Sequence, residues 1–146
     1  MEAGWDGRAV KLPYDRYPGL PSLLITLLNS GLSVTHSTDK SVESVFPALD
    51  IIHRAGVPPS HLDHIRRCVL RHIGNRVWNV REMAARTLSA IIIHDAWVDV
   101  TIQLLKGTHE TSANHLHGVL MTVKDILQRQ RALDIDLAAG KHSNPL

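Results

Sequence analysis

Three polar residues, Ser44, Asn79 and Asn114, each stand in front of an apolar pattern of helical period, and 35 residues separate each from the next. Behind Asn79 the pattern is fullest. Val80, Met83, Ala84, Thr87, Leu88 and Ile91 recur at i, i+3, i+4, i+7, i+8 and i+11, one face of an α-helix. Glu82 follows Asn79 by three residues, as in a capping box. Ser44 as N-cap puts Pro47 in the first helical turn, where its missing N–H costs nothing, ahead of Leu49 and Ile52. Behind Asn114, Leu116, Val119, Leu120, Val123, Ile126, Leu127 and Leu133 form one long stripe.

A shorter helix precedes each of these segments. Pro21 suits the first turn of one that ends at Asn29 before Gly31; Ser60 and Asp63 open a second, which Gly74 closes; Asp95 caps a third, which ends at Gly107. The pattern predicts an all-α chain with three antiparallel helix pairs: 21–29 with 45–54, 61–73 with 80–93, and 96–106 with 115–133. Such pairs bury their apolar faces only by stacking on each other, which defines an α-solenoid. Aromatic residues make up 4% of the chain, too few for a typical β-sandwich or barrel.

Outside the repeats, residues 1–20 carry Gly4, Gly7, Pro13, Pro18 and Gly19, which predict an extended arm. Residues 21–133 form the helical repeats, with a polar loop over 32–43, and residues 134–146 are expected to be a flexible C-terminal tail. No apolar run is long enough to span a membrane, and the N-terminus lacks the basic-then-apolar order of a secretory signal. A cytoplasmic location is expected. The single cysteine, Cys68, lies among Ile65, Val69 and Leu70 and reads as a buried small hydrophobe.

The segment Val80-Arg81-Glu82-Met83-Ala84-Ala85-Arg86-Thr87-Leu88 resembles the second helix of a HEAT repeat, with Asn75 where that pattern has an aspartate. A wider resemblance rests on four runs: Tyr14-Asp15-Arg16-Tyr17-Pro18, Phe46-Pro47 to Gly56, Arg76-Val77-Trp78-Asn79-Val80-Arg81-Glu82-Met83-Ala84-Ala85, and Asn114-His115-Leu116-His117-Gly118. Together they resemble the C-terminal part of the THADA (thyroid adenoma-associated) family. Its fungal members are the non-catalytic subunit of a tRNA 2′-O-ribose methyltransferase. The resemblance implies a HEAT-like fragment of a much longer solenoid, with the rest of that solenoid and the catalytic subunit as partners.

Candidate site residues fall into two sets. Six arginines lie between His64 and Arg86 against one acid, Glu82, although the whole chain carries a formal charge of only +2. Arg81, beside Val80 and Ala84, reads as a structural arginine tied to the preceding turn, and Arg86 as the partner of Glu82. Arg66, Arg67, Arg71 and Arg76 remain as an exposed basic strip, either a solvated helix face or a contact for tRNA phosphates. The resemblance makes Trp78, Arg81, Asn114, His115, His117 and Gly118 the motif residues. Asn114 reads as a helix cap, one histidine as filling a polar gap between repeats, and Gly118 as a point of close helix approach; direct RNA or partner contact is the other reading. Trp78 reads as the packing anchor of an inter-repeat turn rather than as a base-stacking platform.

Nothing in the sequence specifies chemistry. His61, Asp63 and His64 are near one another, but no further Cys, His or carboxylate has zinc-site spacing, and His115 and His117 fall on different helix faces. No glycine-rich loop follows a strand and no nucleophile elbow is present, so no cofactor and no enzymatic activity are expected. The function that the resemblance implies is a non-catalytic adaptor in methylation of the ribose at position 32 of the tRNA anticodon loop, holding the methyltransferase, the tRNA or both. The alternative is a generic HEAT-repeat scaffold for protein interactions without an RNA role.

Overall fold

The register between neighbouring helices follows from two side-chain contacts. Arg81 meets His117 and Ser89 meets Asp125, so the partners are 36 residues apart at both places. A constant separation over more than two turns means that the two helices run parallel, side by side. The computed structural model describes residues 14–30, 41–92, 97–107 and 112–140. Its main helices are α1 (Leu20–Ser30), α2 (Phe46–Ala55), α3 (Leu62–Leu70), α4 (Trp78–Ile92), α5 (Trp97–Lys106) and α6 (Ala113–Gly140).

These helices make two layers of an all-α repeat solenoid. In one, α4 lies between α2 and α6. Thr87 in α4 donates its hydroxyl hydrogen to the Leu49 carbonyl of α2. In the other layer α1 packs on α3, and their C-terminal ends meet where His72 bonds the Leu28 carbonyl and Arg71 bonds the Asn29 side chain. The fifth helix, α5, packs on α6. The short turn from Arg71 to Val77 sends α4 back along α3, antiparallel to it, as the repeat spacing predicts.

The central position of α4 explains its composition. Val80, Ala84 and Leu88 are buried on one stripe while Ala85 and Ser89 are buried on the next, so both flanks need small residues to let a neighbour in. Leu24 and Leu28 of α1, Leu49 and Ile52 of α2, and Ile65 and Val69 of α3 join Val119 and Ile126 of α6 in the same core. Each large side chain so buried contributes about 2 kcal/mol of transfer free energy. Cys68 lies in this core, and burial pushes its thiol pKa up.

The helix starts differ from the sequence expectations. Before α2 a π-helical turn, Ser41–Val45, runs straight into the α-helix, so Val45 and not Ser44 stands at the N-cap, with Pro47 still in the first turn. A 3-10 turn, Pro59–His61, precedes α3; Ser60 contacts its neighbour His61 instead of capping, and Asp63 pairs with Arg66. Helix α4 starts at Trp78, because Arg81 N–H already bonds the Val77 carbonyl, so Asn79 lies inside the helix. For α6 the cap is Ser112, whose hydroxyl accepts from His115 N–H at 3.1 Å, and Asn114 is in the first turn. Asp95 and Gly31 lie outside the described residues.

Two helix ends follow the glycine signals, whereas α3 ends at Leu70, before the expected stop at Gly74, and residues 71–74 form a turn. Gly56, the one residue at positive φ among those described, donates to the Ile52 carbonyl and stops α2. Gly107 does the same after α5 by bonding the Gln103 carbonyl. At the C-terminus the expected tail boundary moves: α6 continues through Gly140, and only residues 141–146 lie outside the described set. Of the expected arm, residues 1–13 lie outside that set. Residues 14–16 form a helical turn, and Tyr14 donates its hydroxyl hydrogen to the Gly56 carbonyl.

Candidate functional site

One edge of the solenoid gathers most of the motif residues. There the C-terminal ends of α1 and α3 meet the N-terminal ends of α4 and α6. Arg81, 6% exposed, is its centre. Its Nη1 donates to the Asn75 carbonyl at 2.6 Å and to the Arg76 carbonyl at 3.4 Å, and its Nε donates to His117 Nδ1 at 2.9 Å. A guanidinium with that acceptor must face a His117 whose Nδ1 carries no hydrogen. The preceding turn is thus held by arginine to carbonyl bonds. The Asn75 side chain, standing where the resembled motif has an aspartate, accepts instead from Val77 N–H at 2.8 Å.

His117 and Arg81 also hold Trp78. The indole and imidazole centroids are 4.6 Å apart at an interplanar angle of 36°, and the Arg81 guanidinium carbon is 5.3 Å from the indole centroid. Trp78 thus packs on both groups beside the turn, and it is 54% exposed. Helix α4 begins at Trp78 itself, so the ring projects from the first turn at the layer's rim instead of tucking under it.

His115 and Gly118 take up the packing around this point. Gly118 is buried, and a methyl group in place of its hydrogen would overlap the Ile73 carbonyl. His115 lies against Gly74, where an added Cβ would approach its own Cβ to 3.2 Å. His115, His117 and Gly118 therefore seat the start of α6 on the α3–α4 turn and the start of α4.

The four candidate arginines do not share one ridge. Arg66 and Arg67 border a cleft of about 310 Å³ with Leu70, Leu88, Val100 and Leu104, between α3 and α5. Arg66 is paired with Asp63 at 3.0 Å. Arg71 and Arg76 are exposed at the turn edge, with Arg71 bonded to Asn29 Oδ1 at 3.1 Å. The basic strip divides into two: Arg71 reaches Asn29 at the end of α1, and Arg76 lies in the turn two residues before Trp78. Glu82 and Arg86 do not form their expected ion pair; Arg86 instead lies close enough to His53 to help lower its pKa.

Two polar groups went unnoticed in the sequence. His72 is buried, its Nε2 donates to the Leu28 carbonyl at 2.7 Å, and burial, aided by Arg71, lowers its pKa. Far from that edge, Asp125 accepts from Ser89 and from Arg129 Nε at 2.7 Å, while Arg129 Nη2 meets His53 Nε2 at 3.3 Å, tying α2, α4 and α6 together. Burial is the first cause of a lowered His53 pKa, followed by Arg129 and Arg86. The spacing of Asp125 and Arg129, four residues in the favourable order, was the one signal available. The serine, histidine and aspartate here are not a hydrolase triad, since arginine stands between histidine and carboxylate. Among the described residues no three His, Cys, Asp or Glu side chains are grouped to hold a metal, and no helix is long and apolar enough to cross a membrane.

A stack of helix pairs, with its α3–α4 turn held by Arg81 and with an aromatic and basic rim, defines the class: an all-α helical-repeat solenoid. The chain belongs to the family described as Trm732, C-terminal TPR repeats, which matches residues 3–126. That description names TPR repeats where the motif around Arg81 resembles HEAT. The chain is 21% identical over 129 residues to a fission yeast (Schizosaccharomyces pombe) protein named tRNA (32-2′-O)-methyltransferase regulator trm732. The alignment covers 83% of this chain and 9% of that relative, so the chain spans less than a tenth of the relative's length. No solved structure matches the chain at a significant level.

Proposed function

We propose that this chain is part of the helical scaffold of a non-catalytic regulator of tRNA 2′-O-methylation, acting at position 32 of the anticodon loop. The observation that carries the proposal is the family match over residues 3–126. The name of the yeast relative and the resemblance to the THADA family point the same way. The methyltransferase catalytic subunit supplies the chemistry, and this chain, which is no enzyme, contributes to the surface that holds the subunit, the tRNA or both. Arg71 and Arg76 at the turn edge, and Arg66 and Arg67 at the α3–α5 cleft, are its phosphate contacts, and the rest of the parent solenoid continues the scaffold. A cytoplasmic location goes with this reading.

The test is ribose-methylation mapping of tRNA in cells whose regulator lacks the segment equivalent to residues 41–133, with the level of the remaining protein checked. Lost methylation at position 32 supports the proposal; retained methylation at normal protein levels refutes it. A second reading, a protein-interaction scaffold without RNA, is favoured by one observation: Val98, Ile102 and Leu105 of α5 and Leu116, Leu120 and Leu127 of α6 are exposed. Binding by that face survives high salt and charge reversal of the four arginines, whereas phosphate contact does not.

A further inference from the structure

The Trp78 rim has a form that packing alone does not require. Arg81 Nε is bonded to His117 Nδ1, so guanidinium and imidazole lie on the same side of the indole. With that side occupied and 54% of the residue exposed, the opposite face of the ring meets solvent. The ring is also held firmly. Arg81 is anchored to two carbonyls of the turn, and His117 is carried on a helix seated against Ile73 by Gly118. An indole with one side backed by a cation and an imidazole, and its other side open, is a preorganised stacking surface.

The charges around it select the kind of ring it takes. Arg76 is exposed two residues before Trp78, and Arg71 lies on the same turn edge. The N-terminal ends of α4 and α6 are offset there by the C-terminal ends of α1 and α3, so the arginines set the sign of the rim. Along α4 the first carboxylate, Glu82, is one turn further on. A flat π-system joined to negative charge fits this rim, whereas an apolar protein face would have to leave Arg76 without its water.

We propose that the open face of Trp78 stacks an unpaired nucleobase of a single-stranded RNA segment, with Arg76 on the adjoining phosphate. The inference rests on the RNA-binding reading above. Stacking of a base on an aromatic side chain is tolerant of sequence and changes affinity by roughly ten- to a hundredfold, so Trp78 supplies grip without choosing the base. Arg81 and His117 are positioning residues, which keep the ring from turning onto the protein.

The experiment compares two short labelled oligoribonucleotides of equal charge, one with all its bases and one abasic at its central positions, by fluorescence anisotropy with the full chain. The wild-type protein should bind the intact oligomer on the order of tenfold or more tighter than the abasic one. Trp78→Ala should abolish that ratio, Trp78→Phe should keep most of it, and Arg76→Glu should weaken both oligomers alike. A ratio unchanged in Trp78→Ala, with RNA still bound in a salt-dependent way, overturns the stacking proposal and leaves the RNA reading standing. Binding of neither oligomer by the wild type overturns both. In the full-length protein without RNA, an indole at position 78 that acrylamide cannot quench would make it a protein contact and would also overturn the proposal. Circular dichroism of each variant separates these effects from unfolding.

Discussion

Gly118 and His72 show how little freedom single residues have at the α3–α4–α6 junction. Gly118 is required by proximity, since any Cβ there meets the Ile73 carbonyl, which belongs to a turn fixed by Arg81. Gly118→Ala must separate α6 from that turn, and we expect a loss of about 3 kcal/mol, at the upper end of overpacking costs, seen as a lower urea midpoint. Gly74→Ala meets only a 3.2 Å approach to the His115 side chain and should cost far less. His72 sets a pH dependence. Its folded-state pKa is depressed, so the unfolded chain binds more protons below the ordinary histidine range. Its contribution to stability is complete above about pH 6.5 and is lost as pH falls from there toward the folded-state pKa. Denaturant titrations at pH 7.5 and 5.5 should show a weaker protein at the lower pH, and His72→Gln, which can still donate to the Leu28 carbonyl, should reduce the difference. An unchanged difference in that variant would place the dependence elsewhere, first at His53.

At the scale of the helix, the test lies at the caps. Ser112→Ala should destabilise the chain by about 1 kcal/mol, because it removes the acceptor for His115 N–H, while Asn114→Ala should cost a few tenths at most by this route. Thermal denaturation of the two variants distinguishes them, and equal losses would contradict the assignment of the cap. The existence, order and type of all six helices were legible in the sequence from the apolar period and from the glycines at 56 and 107. Their starts were less legible. Asn79 has the residue type and the Glu82 that a capping box needs, but the Asn75 side chain and the Arg81 guanidinium already organise the turn, so the helix begins two residues earlier. A long-range arginine is invisible to a rule that reads neighbours in sequence. The site was legible in the same uneven way: the motif residues Trp78, Arg81, His117 and Gly118 were identified, but not that Trp78 faces outward. Nor could spacing show that Arg66 and Arg71, five residues apart, serve different edges.

For the molecule as a whole, apolar period reports how wide a helix's apolar arc is, not which neighbour covers it. Along α6 the sequence shows one broad stripe. The structure splits it: Val119 and Ile126 face the core, while Leu116, Leu120 and Leu127 are exposed. On α5, Val98, Ile102 and Leu105 are exposed at i, i+4 and i+7, again one face. Both belong to the last described pair, and a solenoid repeat presents such a face wherever another repeat or a partner is to cover it. Among the described residues none covers these side chains, and exposed apolar surface drives association. The chain alone should therefore self-associate as concentration rises, giving a mass above that of the monomer in light scattering. Ile102→Lys combined with Leu120→Lys should return it to the monomer while leaving the melting temperature nearly unchanged, since neither side chain belongs to the buried core. If the double variant instead melts much earlier, those side chains carry the α5–α6 contact themselves. A wild-type chain that stays monomeric at high concentration would show that the exposed stripe is not, by itself, an associating surface.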